Sequence, residues 1–331
     1  MLEEDKNLPK ELRSLLSRKV DKSGTFKKVY FETNNKVQWL EIGSKYFFEA
    51  RQALLQKLSV FAMNPRVLVP EQTIVHEIPV EDDYVVYCVV SQTVRCANNL
   101  MEMVQGGKVD NIHFFLIEFV ELMDVVFEFI AKDLFFTDLK LENIVFCEDR
   151  LALVDVDSVL SLDEAKKGVR GTRSQPAADA MPKLYSMIVG SVGSVRSMGS
   201  EQKEKQLRLF YRFYTIFCAS VTVLDFYFFL LKRVDLFESV ELLLPSLRGW
   251  QNELNYRFPD DMEHHRSIKR LLQLSHRTIR FVYLSRRKDY ETVLSEWQGS
   301  FDKAMELRKR KDNIARKRRK KLLPARPALL F

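Results

Sequence analysis

The sequence predicts an α+β chain of two lobes, a small β-rich lobe over residues 20–92 and a larger helical lobe over 93–307. Three observations carry the prediction. Short alternating or apolar runs, separated by turn residues, fill the first part. Long apolar stretches with helical spacing dominate the second. The chain has 331 residues, 46% hydrophobic and 29% charged, which suits a folded chain of two lobes and excludes a disordered one.

Taken in order, residues 1–19 form a polar lead-in with a helix through Leu12, Leu15 and Leu16. Lys22 to Phe31 and Lys36 to Ile42 alternate across the turn signal Asn34-Asn35 and read as a hairpin. Ser44 to Val60 follows as a helix with a stripe of Phe47, Phe48, Leu54, Leu55 and Leu58. Val67-Leu68-Val69, Thr73-Ile74-Val75 and Tyr84 to Val90 are extended runs, with Ser91-Gln92 as the expected hinge between lobes. In the second lobe, Asn98 to Gly107 reads as a short helix and Ile112 to Leu134 as a long one. Glu204 to Val234, Ser267 to Ser285 and Tyr290 to Leu307 are three more helices, and Gly190 to Ser200 is a Gly- and Ser-rich loop.

Between the long helices lies Phe135-Phe136-Thr137-Asp138-Leu139-Lys140-Leu141-Glu142-Asn143-Ile144-Val145-Phe146, and then Leu153-Val154-Asp155-Val156-Asp157. Asp138 and Asn143 share one short loop. Ile144 to Phe146 and Leu151 to Val154 read as two strands turned by Cys147 to Arg150, a hairpin that returns Asp155 to the side of the loop. A carboxylate facing an acceptor hydroxyl, with oxygen ligands for magnesium on nucleotide phosphates, is what phosphoryl transfer needs. The pattern resembles the catalytic loop and metal-binding Asp of protein kinases. The resemblance implies a bilobal protein kinase-like fold, ATP and Mg2+ as cofactors, and a protein substrate. It assigns Asp138 as catalytic base and Asn143 and Asp155 as metal ligands. Lys140, two residues after Asp138, resembles the lysine of Ser/Thr kinases that contacts the transferred phosphate, which implies a Ser or Thr acceptor.

The first hairpin extends the resemblance. Gly24-Thr25-Phe26-Lys27-Lys28-Val29-Tyr30, followed by Val37-Gln38-Trp39-Leu40-Glu41, is similar to the with-no-lysine kinases, which supply the phosphate-binding lysine from the second strand. Leu40 stands at the usual lysine position. By this resemblance Gly24 is the one retained glycine of the phosphate loop, Val29 packs on the adenine, and Lys27 clamps the α- and β-phosphates. Lys27 and Val29 are two apart and share a strand face; a solvated hairpin charge is the plain alternative, and Lys36 and Lys45 are weaker candidates. The helix over 44–60 corresponds to the regulatory helix whose Glu pairs with that lysine, but Arg51 stands at the place and Glu49 lies off that face. Phe136-Thr137 replaces the family's His-Arg, Asp157 replaces a glycine, and Gly171-Thr172 to Asp179 resembles the end of an activation segment. These departures keep an inactive pseudokinase, a binding or scaffold module, as the rival expectation.

Four scattered cysteines, Cys88, Cys96, Cys147 and Cys218, read as free thiols of a reducing compartment. The five histidines have no zinc spacing. The charged N-terminus shows no secretory signal, and the apolar run Phe213 to Leu231, broken by Asp225, reads as a buried helix rather than a membrane span. The net charge of +7 is concentrated: Arg308 to Lys321 holds ten Lys or Arg and one Asp, leaving 42 basic against 44 acidic residues elsewhere. This tail, residues 308–331, reads first as a bipartite signal for a nuclear import receptor, second as a non-specific nucleic-acid contact, and third as a membrane-surface attraction.

Overall fold

The computed structural model describes residues 8–23, 27–31, 36–81, 84–96, 98–156, 159–167, 177–190, 199–231, 247–259, 263–284 and 289–300. The first part is a five-stranded antiparallel sheet in the order β1-β2-β3-β5-β4: β1 Lys22–Ser23, β2 Lys27–Phe31, β3 Lys36–Gly43, β4 Gln72–Glu81 and β5 Tyr84–Val94. Helix α1 (Lys10–Leu16) lies on one face. Its Leu12 and Leu15, with Leu8, bury against Tyr30, Leu40, Ile78 and Cys88. Helix α2 (Lys45–Leu58) connects β3 to β4 and meets the other face, where Phe48 stacks on Tyr87 at 5.3 Å.

The remainder is mostly helical. Helices α3 (Leu100–Gln105), α4 (Ile112–Ala131), α5 (Leu162–Lys166) and α6 (Ala177–Ile188) are followed by α7 (Ser200–Leu230), α8 (Leu247–Arg257), α9 (Glu263–Leu284) and α10 (290–300). Two small antiparallel pairs interrupt them: β6 (Leu134–Phe136) with β9 (Val159–Ser161), and β7 (Ile144–Cys147) with β8 (Arg150–Leu153). Every residue of α7 from Phe213 to Phe228 is buried, so this helix is the axis of the larger core. It is long and apolar enough to cross a membrane, but 89% of its apolar window is packed inside the protein, as expected of a core helix.

The two parts meet through specific polar contacts. Arg66, in the connector between α2 and β4, pairs with Glu118 of α4 at 2.6 Å and donates to Leu151 O at 3.1 Å. Glu118 also accepts from Leu151 N at 2.9 Å. Beside them Val67 forms a parallel bridge with Leu153 of β8.

Several expectations are corrected. Strand β5 continues through Ser91 and Gln92, which pair with Trp39 and Gln38, so the chain leaves the sheet after Val94 rather than at Ser91-Gln92. Strand β4 runs past Val75 and through Pro79; it is an edge strand, where a missing N–H costs no ladder bond. Helix α4 stops at Ala131 because Asp133 takes a left-handed φ of 53° and Leu134 opens β6. The cysteines are not four free thiols. Cys96 and Cys147 form a disulfide with Cα atoms 5.0 Å apart, while Cys88 and Cys218 are free and buried. The fold brings together two cysteines 51 residues apart, a pairing that spacing alone does not announce.

Candidate active site

The loop after β6 is held from below by its apolar residues. Leu134, Phe135 and Phe136 are all buried, as are Leu139 and Leu141, and these fix the backbone between them. Thr137, Asp138 and Asn143 are buried with them. Asn143, closing a 3-10 turn over Leu141–Asn143, donates through Nδ2 to Asp138 O at 2.8 Å and to Asp138 Oδ2 at 3.4 Å. That amide orientation turns Asn143 Oδ1 away from Asp138. Lys140 Nζ lies 3.1 Å from Asp138 Oδ2. The other oxygen, Asp138 Oδ1, is buried and has no hydrogen-bond partner among the described residues. A buried acceptor left open is costly, and it is where an incoming donor gains most.

The hairpin β7–β8 then returns the chain. Glu148 and Asp149, with φ of 48° and 61°, make the two-residue turn whose left-handed pair matches strand twist. Val154 N donates to Asn143 O at 3.0 Å, which sets Asp155 next to the loop. Asp155 itself has φ 58°, a region that Asp tolerates better than most residues and that costs conformational energy.

Helix α7 supports the loop from the core side. Thr222 Oγ1 lies 3.0 Å from Leu139 O, and Cys218 Sγ lies 3.9 Å from Thr137 O. One turn of a buried helix thus presents two donors to the two carbonyls flanking Asp138. Arg208 and Arg212 of the same helix bind Asp133, just before β6, at 3.1 and 3.0 Å.

Asp138, Lys140, Asn143 and Asp155 therefore sit on one loop-and-hairpin unit. Lys27 and Val29 lie together on β2, in register with Glu41 and Trp39, and Val29 is half-buried. Gly24, Asp157 and Gly171 to Pro176 lie outside the described residues, as does the tail over 308–331. Leu40, expected from the sequence resemblance to stand at the usual lysine position, is a core residue against α1. Lys36 pairs with Glu71 at 2.6 Å and Lys45 with Glu49 at 4.0 Å. Glu49 is exposed. Sequence reasoning missed Thr222 and Cys218; their only signal is a polar or thiol side chain on an otherwise apolar helix.

Among the described residues, no group of three or more His, Cys, Asp and Glu side chains is placed to hold a metal. Asn143 Oδ1 and the Asp155 carboxylate are two oxygen donors on adjoining turns. This hard, partial set fits magnesium, which keeps waters and phosphate oxygens as its other ligands. A separate cavity of about 310 Å³ is lined by Ile112 and His113 at the start of α4, Tyr227 of α7, and Tyr256, Arg257 and Phe258 at the end of α8. No protein-family model matches the sequence, and comparison with curated proteins finds no match.

Proposed function

We propose that the chain is an ATP-dependent Ser/Thr protein kinase with a bilobal kinase-like fold and an atypical phosphate-binding lysine. The observation that carries the reading is the contact set of Asp138, Lys140 and Asn143, with Asp155 returned beside it by the hairpin. The sheet order, the helix between its third and fourth strands, and the β6–β9 and β7–β8 pairs support it. In this reading Asp138 accepts the proton of the acceptor hydroxyl, using the oxygen that lacks a protein donor. Lys140 faces the phosphoryl group in transfer. Asn143 and Asp155 would hold magnesium, Lys27 the α- and β-phosphates, and Gly24 and Val29 the nucleotide's phosphate and adenine sides. The magnesium nucleotide, when bound, supplies the phosphoryl group and the charge that offsets it.

The test is transfer of labelled phosphate from ATP, with magnesium, to basic and acidic protein substrates by the wild type and by Asp138→Asn. The expected loss in the variant is about 10²- to 10⁴-fold. Equal transfer by both sinks the enzyme reading. The second reading is an inactive pseudokinase that binds partners. It is favoured by Glu49, which is exposed and paired with Lys45, leaving α2 without its carboxylate. In both readings Arg308 to Lys321 addresses a nuclear import receptor, and deletion of 308–331 should move the protein out of the nucleus.

A further inference from the structure

The sheet is fastened to the β7–β8 hairpin at two places, and the fastenings differ in kind. On the β8 side they are backbone bonds of ordinary length. Leu68 N donates to Leu153 O at 2.9 Å and Leu153 N to Arg66 O at 2.8 Å, with the Arg66–Glu118 pair behind them. On the β7 side the chain leaving β5 runs past the hairpin to α3. There Asn99 bridges Val145, and Phe146 N donates to Asn98 O at 3.4 Å, a long and weak bond. The strong link on this side is the sulfur bond from Cys96 to Cys147, at the end of the same short ladder. Cutting it leaves the β8 side intact and the β7 side with little to hold it.

The sulfurs are placed to be cut. Cys96 and Cys147 are half-buried, and Cys147 stands directly before the exposed turn residues Glu148 and Asp149. Disulfide exchange needs a thiolate to reach one of the sulfurs, and access sets its rate. The other two cysteines, Cys88 and Cys218, are buried.

We propose that Cys96–Cys147 is a redox switch, opened by a dithiol reductant, that releases the segment after β5 from β7. One thiolate of the reductant attacks a sulfur of the pair, and the other cysteine leaves as thiolate and takes up a proton. The reductant's second thiolate then displaces the mixed disulfide. Two electrons pass to the protein, which gains two thiols, and the reductant becomes a disulfide; the reverse exchange closes the switch. Asn143 directly precedes β7 and Asp155 follows β8, so the oxidised form holds both ends of the hairpin against the sheet. The effect on nucleotide rests on the proposed kinase reading: the oxidised form binds the magnesium nucleotide, and the reduced form binds it more weakly.

The experiment compares the full chain, oxidised and after excess dithiothreitol, by hydrogen exchange resolved to single amides. Reduction should speed exchange at Phe146 by roughly tenfold or more and leave Leu68 and Leu153 nearly unchanged. Return to the disulfide form of the reagent should restore protection. The variant Cys96→Ser with Cys147→Ser should match the reduced protein and ignore the reagent. Equal acceleration at all three amides, which a general loss of stability gives, overturns the switch, as does no change at Phe146. Alkylation of Cys96 and Cys147 without reductant overturns it too. In the transfer assay, reduction should raise KM for magnesium nucleotide about fivefold or more; an unchanged KM in an active enzyme confines the switch to local structure and overturns its control of nucleotide. Wild-type transfer no better than Asp138→Asn rejects the kinase reading, and the exchange comparison still decides whether the disulfide controls the β7 attachment.

Discussion

At Thr222 a single hydroxyl proton faces two carbonyls, Cys218 O at 2.8 Å and Leu139 O at 3.0 Å. A buried hydroxyl in a helix ordinarily bonds four residues back, as Ser220 does to Ile216 O at 2.7 Å and Thr278 to Leu274 O at 2.8 Å. The second acceptor at Thr222 belongs to the loop that carries Asp138. Replacing Thr222 by Val keeps the shape and removes the donor, so it should cost about 1–3 kcal/mol in a denaturant melt. Phosphate transfer should fall further than the folded fraction does, and Thr222→Ser should retain it; a Val variant with wild-type transfer would contradict this support role. The same residue explains the limit of sequence reasoning. Asp138, Lys140 and Asn143 were legible because one short loop fixes their mutual geometry. Thr222 and Cys218 reach that loop from 83 and 81 residues away, and on an apolar helix they look like ordinary core residues.

The decisive element is the β7–β8 hairpin, which joins Asn143 to Asp155. Its strands were readable from two short apolar runs around four turn residues. Its attachment was not, because Cys96 pairs with Cys147 only once β5 and the hairpin are brought side by side. Closing that loop restricts the unfolded chain, by about 4 kcal/mol in the chain-entropy account. Reduction, or Cys147→Ser, should therefore lower the melting temperature, with no change expected if the two thiols stay apart in solution. Alkylation of the native protein reads the state directly. Cys88 and Cys218 are buried, and burial pushes the Cys88 thiol up to about 11, so labelling should appear at Cys96 and Cys147, and only after reduction.

At the scale of the molecule, a small antiparallel sheet followed by a helical body was visible in the change from short to long apolar runs. The contacts joining the two were not, since Arg66 and Glu118 look like surface charges until the connector after α2 lies on α4. Their side chains are 14% and 11% exposed, so Arg66→Met strands a charge and should cost about 3–5 kcal/mol in a denaturant melt. Arg66→Met with Glu118→Gln should recover much of it; a loss below about 1 kcal/mol in the single variant would assign the pair to the surface class. The sheet meets the hairpin on both strands. Val67, before β4, bridges Leu153 on β8, while Asn99, after β5, bridges Val145 on β7, with the disulfide alongside. A swing of the sheet over the helices therefore has its axle in the hairpin itself. Asn143 and Asp155, at the hairpin's two ends, stay nearly still through such a swing, while β2, out at the sheet's far side, sweeps the longest arc. In the proposed kinase reading, opening and closing would carry Lys27 of β2 to and from Asn143 and Asp155, which stay in place.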